Sequence, residues 1–295
     1  MDQVAAIINF CTTEARFLRA CIEEVRRFAD QIIIPVCDHF FDGEPENRPL
    51  LEKIYRSFPD CLFVELPLLG RKSPAYLSSV SRMVGTHFLG EEIDRLFFID
   101  ADEIPEGQKV LECLRSSDWS QYSVIKLASY WYFREPRYRA NKWEDSILFV
   151  HRKTLDSSLL LHERERAAIY DALPGPKKNL VTGLDGAPLC HHFSWVRTKQ
   201  EMLKKVTSWG HRKDRNWVEL VEKEYSGPFH GIDFVHGYSY SEVPPPFGIS
   251  LADVGFSGES KPSLVRLSFN ELQRILECGP VDFVKNWIHR WLYAK

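Results

Sequence analysis

The chain has 295 residues, of which 44% are hydrophobic and 27% are charged, so it can bury the core of an ordinary globular protein. Its formal net charge of -3 at pH 7 lacks the basic excess of a nucleic-acid-binding domain, and we expect no nucleic-acid partner. Seven cysteines are scattered without a Cys-x-x-Cys pair, unlike the even-numbered framework of a small disulfide-rich domain. With no signal-peptide pattern at the N-terminus, the composition predicts a cytoplasmic protein.

Short apolar runs alternate with helical patterns in the first hundred residues. Strands are predicted at residues 4–10, 31–36, 62–66 and 95–99. Helix starts lie between them, because Asn47 and Ser73 can each cap a helix whose first turn holds a proline. This alternation predicts an α/β fold with a mixed, mainly parallel sheet flanked by helices. Ligands of such sheets bind outside the carboxyl ends of the strands.

The pattern changes after residue 120. Strands are predicted at 122–133 and 147–151, and the basic and aromatic stretch 134–143 is interpreted as the segment that separates them. From the later composition we predict a catalytic domain at residues 1–235 and a C-terminal extension, residues 236–295, that packs on it. The end of this extension is rich in Trp and basic residues, so it could instead contact a membrane surface.

Two acidic residues follow the fourth predicted strand. Asp100 and Asp102 are one residue apart, and carboxylates so placed repel each other unless a cationic group neutralises them. Magnesium ions typically take one or two carboxylates together with substrate phosphates. The acidic residues could also simply begin a loop or cap a helix. Their position at a strand end, within the run Asp-Ala-Asp-Glu-Ile-Pro, favours a metal site.

This run resembles the signature of a known group of enzymes. Residues 96–105, Leu-Phe-Phe-Ile-Asp-Ala-Asp-Glu-Ile-Pro, are similar to the Asp-x-Asp-Glu-Ile-Pro motif of GT-A glycosyltransferases related to family 2 and to the β-1,4-N-acetylglucosaminyltransferases of family 17. The resemblance covers about residues 4–250. The other similar segments are Thr13-Glu14 after the first strand, Arg82 on the helix before the motif, and His192-Phe-Ser-Trp with Lys205 and His211 downstream.

The resemblance implies a metal centre. Asp102 would bind the ion, and Asp100 would bind either the ion or the donor ribose. His192 would be the third protein ligand, and imidazole together with carboxylates suits Mn²⁺ as well as Mg²⁺. The ion would offset the charge of the departing diphosphate.

The resemblance also implies a site for a nucleotide-sugar donor, with a UDP-sugar expected before a GDP-sugar. The acceptor would be a hydroxyl group of a glycan or glycoconjugate. Candidate donor-binding residues are Thr12, Glu14 and Asp38 at the ends of the first two strands, Asp100, and Arg82 as a partner of phosphate or carboxylate groups.

The comparison families invert the anomeric centre, so a carboxylate should deprotonate the acceptor hydroxyl. Two candidates follow the acidic motif. Asp145 belongs to a Glu-Asp pair like that of many GT-A enzymes, and Glu163 lies in the run Leu-His-Glu-Arg-Glu. Each residue could equally form salt bridges only.

Two other functions remain open. A metal-dependent nucleotidyltransferase also places acidic residues at strand ends, but it usually has a Gly-rich loop after the first strand. Here the corresponding run is Cys-Thr-Thr-Glu, at residues 11–14, which has no glycine. The second alternative is a non-catalytic carbohydrate-binding protein with the same fold.

Overall fold

A computed structural model describes residues 2–70, 72–116, 119–208, 215–252 and 254–282. Its strands are β1 Gln3–Asn9, β2 Gln31–Cys37, β3 Leu62–Leu66, β4 Ile93–Asp100, β5 Glu103–Pro105, β6 Val124–Phe133, β7 Glu135–His151, β8 Lys177–Val181, β9 Cys190–Trp195, β10 Tyr240–Glu242 and β11 Leu264–Arg266. Its α-helices are α1 Ala15–Val25, α2 Arg48–Ser57, α3 Pro74–Thr86, α4 Gly107–Arg115, α5 Ser157–Leu160, α6 Arg166–Ala172, α7 Lys199–Ser208, α8 Trp217–Glu224 and α9 Phe269–Asp282.

All the strands in the described ranges belong to one mixed sheet. Nine of them follow the order β11-β3-β2-β1-β4-β7-β6-β9-β5, while β10 pairs with β7 and β8 pairs with β6 beside this path. The neighbours from β11 to β4 are parallel. Strand β7 is antiparallel to both β4 and β6, and β5 is antiparallel to β9. The predicted α/β fold, with a mainly parallel sheet flanked by helices, is confirmed.

The first half of the chain folds as its local signals predict. Asn47 accepts a hydrogen bond from the Leu50 amide and caps α2, and Ser73 does the same for α3 through the Tyr76 amide. The central strands are apolar in their middle portions because helices cover both faces of the sheet. Helices α1, α2 and α4 pack on one face, while α3 and α9 pack on the other.

The prediction for residues 134–143 is wrong. They form the first part of β7, which pairs with β6 and with β10. Arg134, with a φ of 61°, makes the turn between β6 and β7. Arg139 lies over the Tyr130 ring, 4.4 Å from its centroid. Cationic side chains that cover aromatic rings can occupy an exposed strand face, so the basic composition did not indicate a break.

The described part of residues 236–282 joins the same sheet. Strand β10 pairs with β7, β11 pairs with β3, and α9 packs against α3. A domain boundary after residue 235 stays a prediction. Residues 283–295, for which a membrane contact was considered, lie outside the described residues. No described helix has the length and apolarity needed to cross a membrane.

Candidate functional site

A cavity of about 470 Å³ lies at the carboxyl ends of β1, β2 and β4. It is bounded by the start of α3, by the loop after β2, and by β9 with α7. Its lining combines charged and aromatic side chains, among them Glu14, Asp100, Asp102, Glu165, His192, Arg197, Lys204, Lys205, Phe40 and Phe41.

Strand pairing brings the acidic motif to this cavity. Asp100 ends β4 and lies opposite Asn9 at the end of β1. Strand β5 then pairs with β9 so that Glu103 lies opposite His192. The Phe193 amide donates to the Asp102 carbonyl over 2.8 Å. His192 is therefore held beside the acidic motif by main-chain hydrogen bonds, although 90 residues separate it from Asp102 in the sequence.

Asp100 lies in a chain of ion pairs, which we call the Asp100 network: Glu165, Arg82, Asp100, Arg166 and Glu103. Arg82 donates to Asp100 Oδ1 and to Glu165 Oε2, both over 2.9 Å. Arg166 donates to Asp100 Oδ2 over 3.2 Å and to the two Glu103 oxygens over 2.6 and 2.7 Å. Both oxygens of Asp100 therefore already have a guanidinium partner.

These arginines determine the charge of Asp100. Burial alone would raise the pKa of this carboxyl group, but Arg166 and Arg82 outweigh it and lower the pKa to about 2. Asp100 is consequently ionised at any physiological pH. The repulsion expected between two neighbouring carboxylates is relieved here by protein cations.

Asp102 lies in a second group with longer contacts, the Asp102 cluster: Glu14, Asp102, His192, Arg197 and Lys205. Its Oδ1 is 3.7 Å from His192 Nε2, and its Oδ2 is 3.7 Å from Arg197 Nη2. Arg197 Nη2 also lies 3.3 Å from Glu14 Oε1. The rest of the Arg197 guanidinium donates to main-chain carbonyl groups, and Lys205 Nζ contacts Ser194 Oγ over 2.8 Å.

Two groups of the Asp102 cluster have pKa values close to neutrality. Burial and then the charge of Asp102 raise the pKa of Glu14 from 4.5 to about 8. Burial and then the charge of Arg197 lower the pKa of Lys205 from 10.5 to about 8. The protonation states in this cluster will therefore respond to any charged ligand that enters it.

The side chains at the cavity fit part of the predicted metal centre. Divalent ions hold ligand atoms at about 2.1 Å, so two adjacent ligands of one ion lie about 3 Å apart. Asp102 and His192, at 3.7 Å, reach this spacing after a small movement. Asp100 would first have to release an arginine. Among the residues that the structure describes, no three His, Cys, Asp or Glu side chains are already arranged to hold a metal ion.

The predicted donor-binding residues do not all lie in the cavity. Glu14 belongs to the Asp102 cluster, and Arg82 lies beneath Asp100. Thr12 is engaged with Glu46 through both its amide and its hydroxyl group. Asp38 accepts hydrogen bonds from the Leu68 amide and from its neighbour His39, so it organises the loop after β2 and is not part of the cavity lining.

Neither predicted catalytic base lines the cavity. Asp145 lies on β7 and pairs with Lys126 over 3.2 Å. Glu163 is exposed, and its carboxylate accepts a hydrogen bond from Ser73. The acidic residue of this segment that does line the cavity is Glu165, two positions later. His211, from the downstream part of the resemblance, lies outside the described residues.

Three charged side chains of the two groups were not predicted from the sequence: Glu165, Arg166 and Arg197. The run Glu-Arg-Glu-Arg at 163–166 alternates in charge, and nothing in its spacing distinguishes an inward carboxylate from an outward one. Arg197 follows the His-x-Ser-Trp segment by two residues. Its proximity to the segment could have indicated a second cation at the site.

No protein-family model and no curated protein sequence matches the chain. Among solved structures it is similar to Rv0371c from Mycobacterium tuberculosis H37Rv, at 10% identity over 60% of this chain and 87% of that chain, with a TM-score of 0.40. It is similar to 4-diphosphocytidyl-2C-methyl-D-erythritol synthase from Anaerococcus prevotii, at 9% identity over 63% and 94% of the two chains, with a TM-score of 0.38. It is also similar to the glycosyltransferase GlyE of Streptococcus pneumoniae, at 12% identity over 77% and 64%, with a TM-score of 0.39. These scores carry no argument about the function of this chain.

Proposed function

We propose that this protein is a glycosyltransferase that uses a nucleotide-sugar donor. The observation that carries the proposal is the Asp102 cluster, which places a carboxylate–imidazole pair and two cations in one cavity at the carboxyl ends of parallel strands. The cavity volume of about 470 Å³ is within the usual range of ligand pockets.

The donor diphosphate would lie against the Asp102 cluster. Arg197 is held by the carbonyl groups of Thr13 and Ser194, so its guanidinium is already oriented in the absence of a ligand. Together with Lys205 it offers charge-assisted hydrogen bonds to phosphate oxygens. A divalent ion held by Asp102 and His192 would act there as a Lewis acid that stabilises the leaving diphosphate.

The nucleoside would lie toward the loop after β2. Residues 38–46 form a compact turn closed by the bridge between His39 and Pro45. The turn brings Phe40 and Phe41 to the cavity, and aromatic faces of this kind stack well on nucleobases. We propose UDP as the nucleotide, following the sequence resemblance.

The glycan acceptor would approach beside His192. Trp131 packs edge-on against His192 and against His236, with ring centroids 4.8 and 5.1 Å apart respectively. Trp131 is 8% exposed and supports the His192 ring from the protein interior, so His192 is the member of this group that faces the cavity. We propose that glycosyl transfer occurs in the cavity beside the Asp102 cluster, with inversion of the anomeric centre, following the sequence resemblance.

A nucleotidyltransferase is the less favoured alternative. Such an enzyme needs free main-chain amides after β1 to hold a nucleoside triphosphate. Here the run 11–14 lacks glycine, and the Thr12 amide is already bound by the Glu46 carboxylate. This hydrogen bond favours a donor held through its diphosphate and side-chain cations.

A thermal-shift panel tests the proposed function. UDP, GDP and CMP, each free and as a sugar conjugate, would be added with Mn²⁺ or with EDTA. A ligand at 100 times its dissociation constant stabilises the native state by about 2.7 kcal/mol, which raises the melting temperature measurably. We expect UDP and a UDP-sugar with Mn²⁺ to give the largest rise. The proposal fails if none of these ligands shifts the transition.

A further inference from the structure

Glu165 is an acidic side chain of the cavity that has no part in the donor site described above. Glu165 lines the cavity, and its side chain retains 33% of its solvent exposure. Glu163, in the same run, points its carboxylate to Ser73 outside the cavity lining. The chain therefore presents one of two nearby carboxylates to the site.

A buried arginine fixes the position of Glu165. The Arg82 side chain is only 2% exposed, and its two terminal nitrogens hold Glu165 Oε2 and Asp100 Oδ1, each over 2.9 Å. Two carboxylates bound to one guanidinium group lie side by side. Glu165 is consequently oriented next to the acidic motif, where the reacting part of the donor would lie.

The backbone at Glu165 is in a conformation that residues other than glycine rarely adopt, with φ 50° and ψ -130°. The next residue, Arg166, begins α6 and is anchored to Glu103 and Asp100. This anchoring holds the segment against the strain. Strained residues whose surroundings impose the conformation concentrate at functional sites.

We propose that Glu165 is the general base of the transfer reaction; this assignment rests on the proposed glycosyltransferase function. A Glu165 carboxylate oxygen takes the proton of the acceptor hydroxyl as the acceptor oxygen bonds to the anomeric carbon of the sugar. The bond from that carbon to the diphosphate oxygen breaks, and its electron pair leaves with the nucleoside diphosphate. Glu165 then releases the proton to water, which restores the carboxylate.

The test uses the full chain and measures UDP release from UDP-N-acetylglucosamine and UDP-glucose, with water as the acceptor. Glu165→Gln should lower turnover by about 10²–10⁴-fold, because removal of a general base typically has this effect. The amide oxygen of glutamine can still accept a hydrogen bond from Arg82, so UDP affinity should stay within about twofold of wild type. Glu163→Gln is the matched comparison and should keep turnover within about threefold.

A second variant separates proton transfer from a structural role. Glu165→Gly suits the positive φ and should fold, and added sodium formate should restore part of its turnover. Near-normal turnover of Glu165→Gln would overturn the assignment, as would equal losses of turnover and UDP affinity or the absence of formate rescue. If the wild type binds no nucleotide and releases no UDP, the proposed function itself falls, and the assignment of Glu165 falls with it.

Discussion

The Asp100 network and the Asp102 cluster begin one residue apart, yet their contacts differ in kind. Ion-pair distances are 2.6–3.2 Å in the Asp100 network. They are 3.3–3.7 Å in the Asp102 cluster. Close ion pairs between buried groups compensate one another within the protein, whereas longer contacts leave room for a ligand to complete them. We infer that the first group supports the site and presents Glu165 to it, and that the second group binds the donor.

The largest expected effect is on stability, and it concerns the Asp100 network. Arg166→Ala removes the partner of Glu103, whose side chain has no solvent exposure. Breaking a buried ion pair from one side typically costs about 3–5 kcal/mol, because the remaining charge is uncompensated. Urea unfolding should show a loss of this size. A loss below about 1 kcal/mol would mean that the network is not a structural element.

Arg197→Ala should act on donor binding. It removes a cation that we assign to the donor diphosphate, and a hydrogen bond to a charged group is worth about 1.5–3 kcal/mol. Calorimetric titration should therefore show UDP affinity reduced by about 10–100-fold. Because Arg197 is 4% exposed and lies beside Asp102 and Glu14, the variant should also lose stability, and circular dichroism would verify that it is folded at the titration temperature. If this variant bound UDP with unchanged affinity, the Asp102 cluster could no longer be distinguished from the Asp100 network as the group that binds the donor.

The position of Asp100 and Asp102 at the ligand-binding edge of the sheet could be predicted because the sequence signal is local. An apolar strand followed by Asp100 and Asp102 indicates both the sheet edge and the carboxylates, and the parallel sheet places them at a ligand site. His192 was found only through a resemblance between motifs. The pairing of β5 with β9 is what brings it within 3.7 Å of Asp102.

The parts that the sequence did not predict depend on contacts between distant segments. Arg197 lies beside Glu14, 183 positions away, and Arg166 reaches Glu103 across 63 positions. No periodicity encodes such pairs. The choice of Glu163 in place of Glu165 as a cavity candidate arose for a related reason, because a local turn with positive φ decides which carboxylate faces the site.

The smallest expected effect is a pH dependence confined to the Asp102 cluster. Lys205, with its pKa lowered to about 8, loses its positive charge above that pH. Glu14, with its pKa raised to about 8, gains its negative charge over the same range. Both changes oppose an anionic ligand, so UDP affinity measured in EDTA should fall by about a few-fold as the pH rises from 7 to 9. Lys205→Met should flatten this profile; an unchanged slope would contradict the assignment.

We propose that the Asp102 cluster binds the donor diphosphate through a divalent ion, and a calorimetric titration of UDP can decide this. Wild type would be titrated in Mn²⁺ and in EDTA, and Asp102→Ala under both conditions, with circular dichroism to verify that the variant is folded. We expect wild type to bind UDP more tightly in Mn²⁺ than in EDTA, and folded Asp102→Ala to bind it equally under both conditions. Equal affinity of wild type with Mn²⁺ and with EDTA would contradict it.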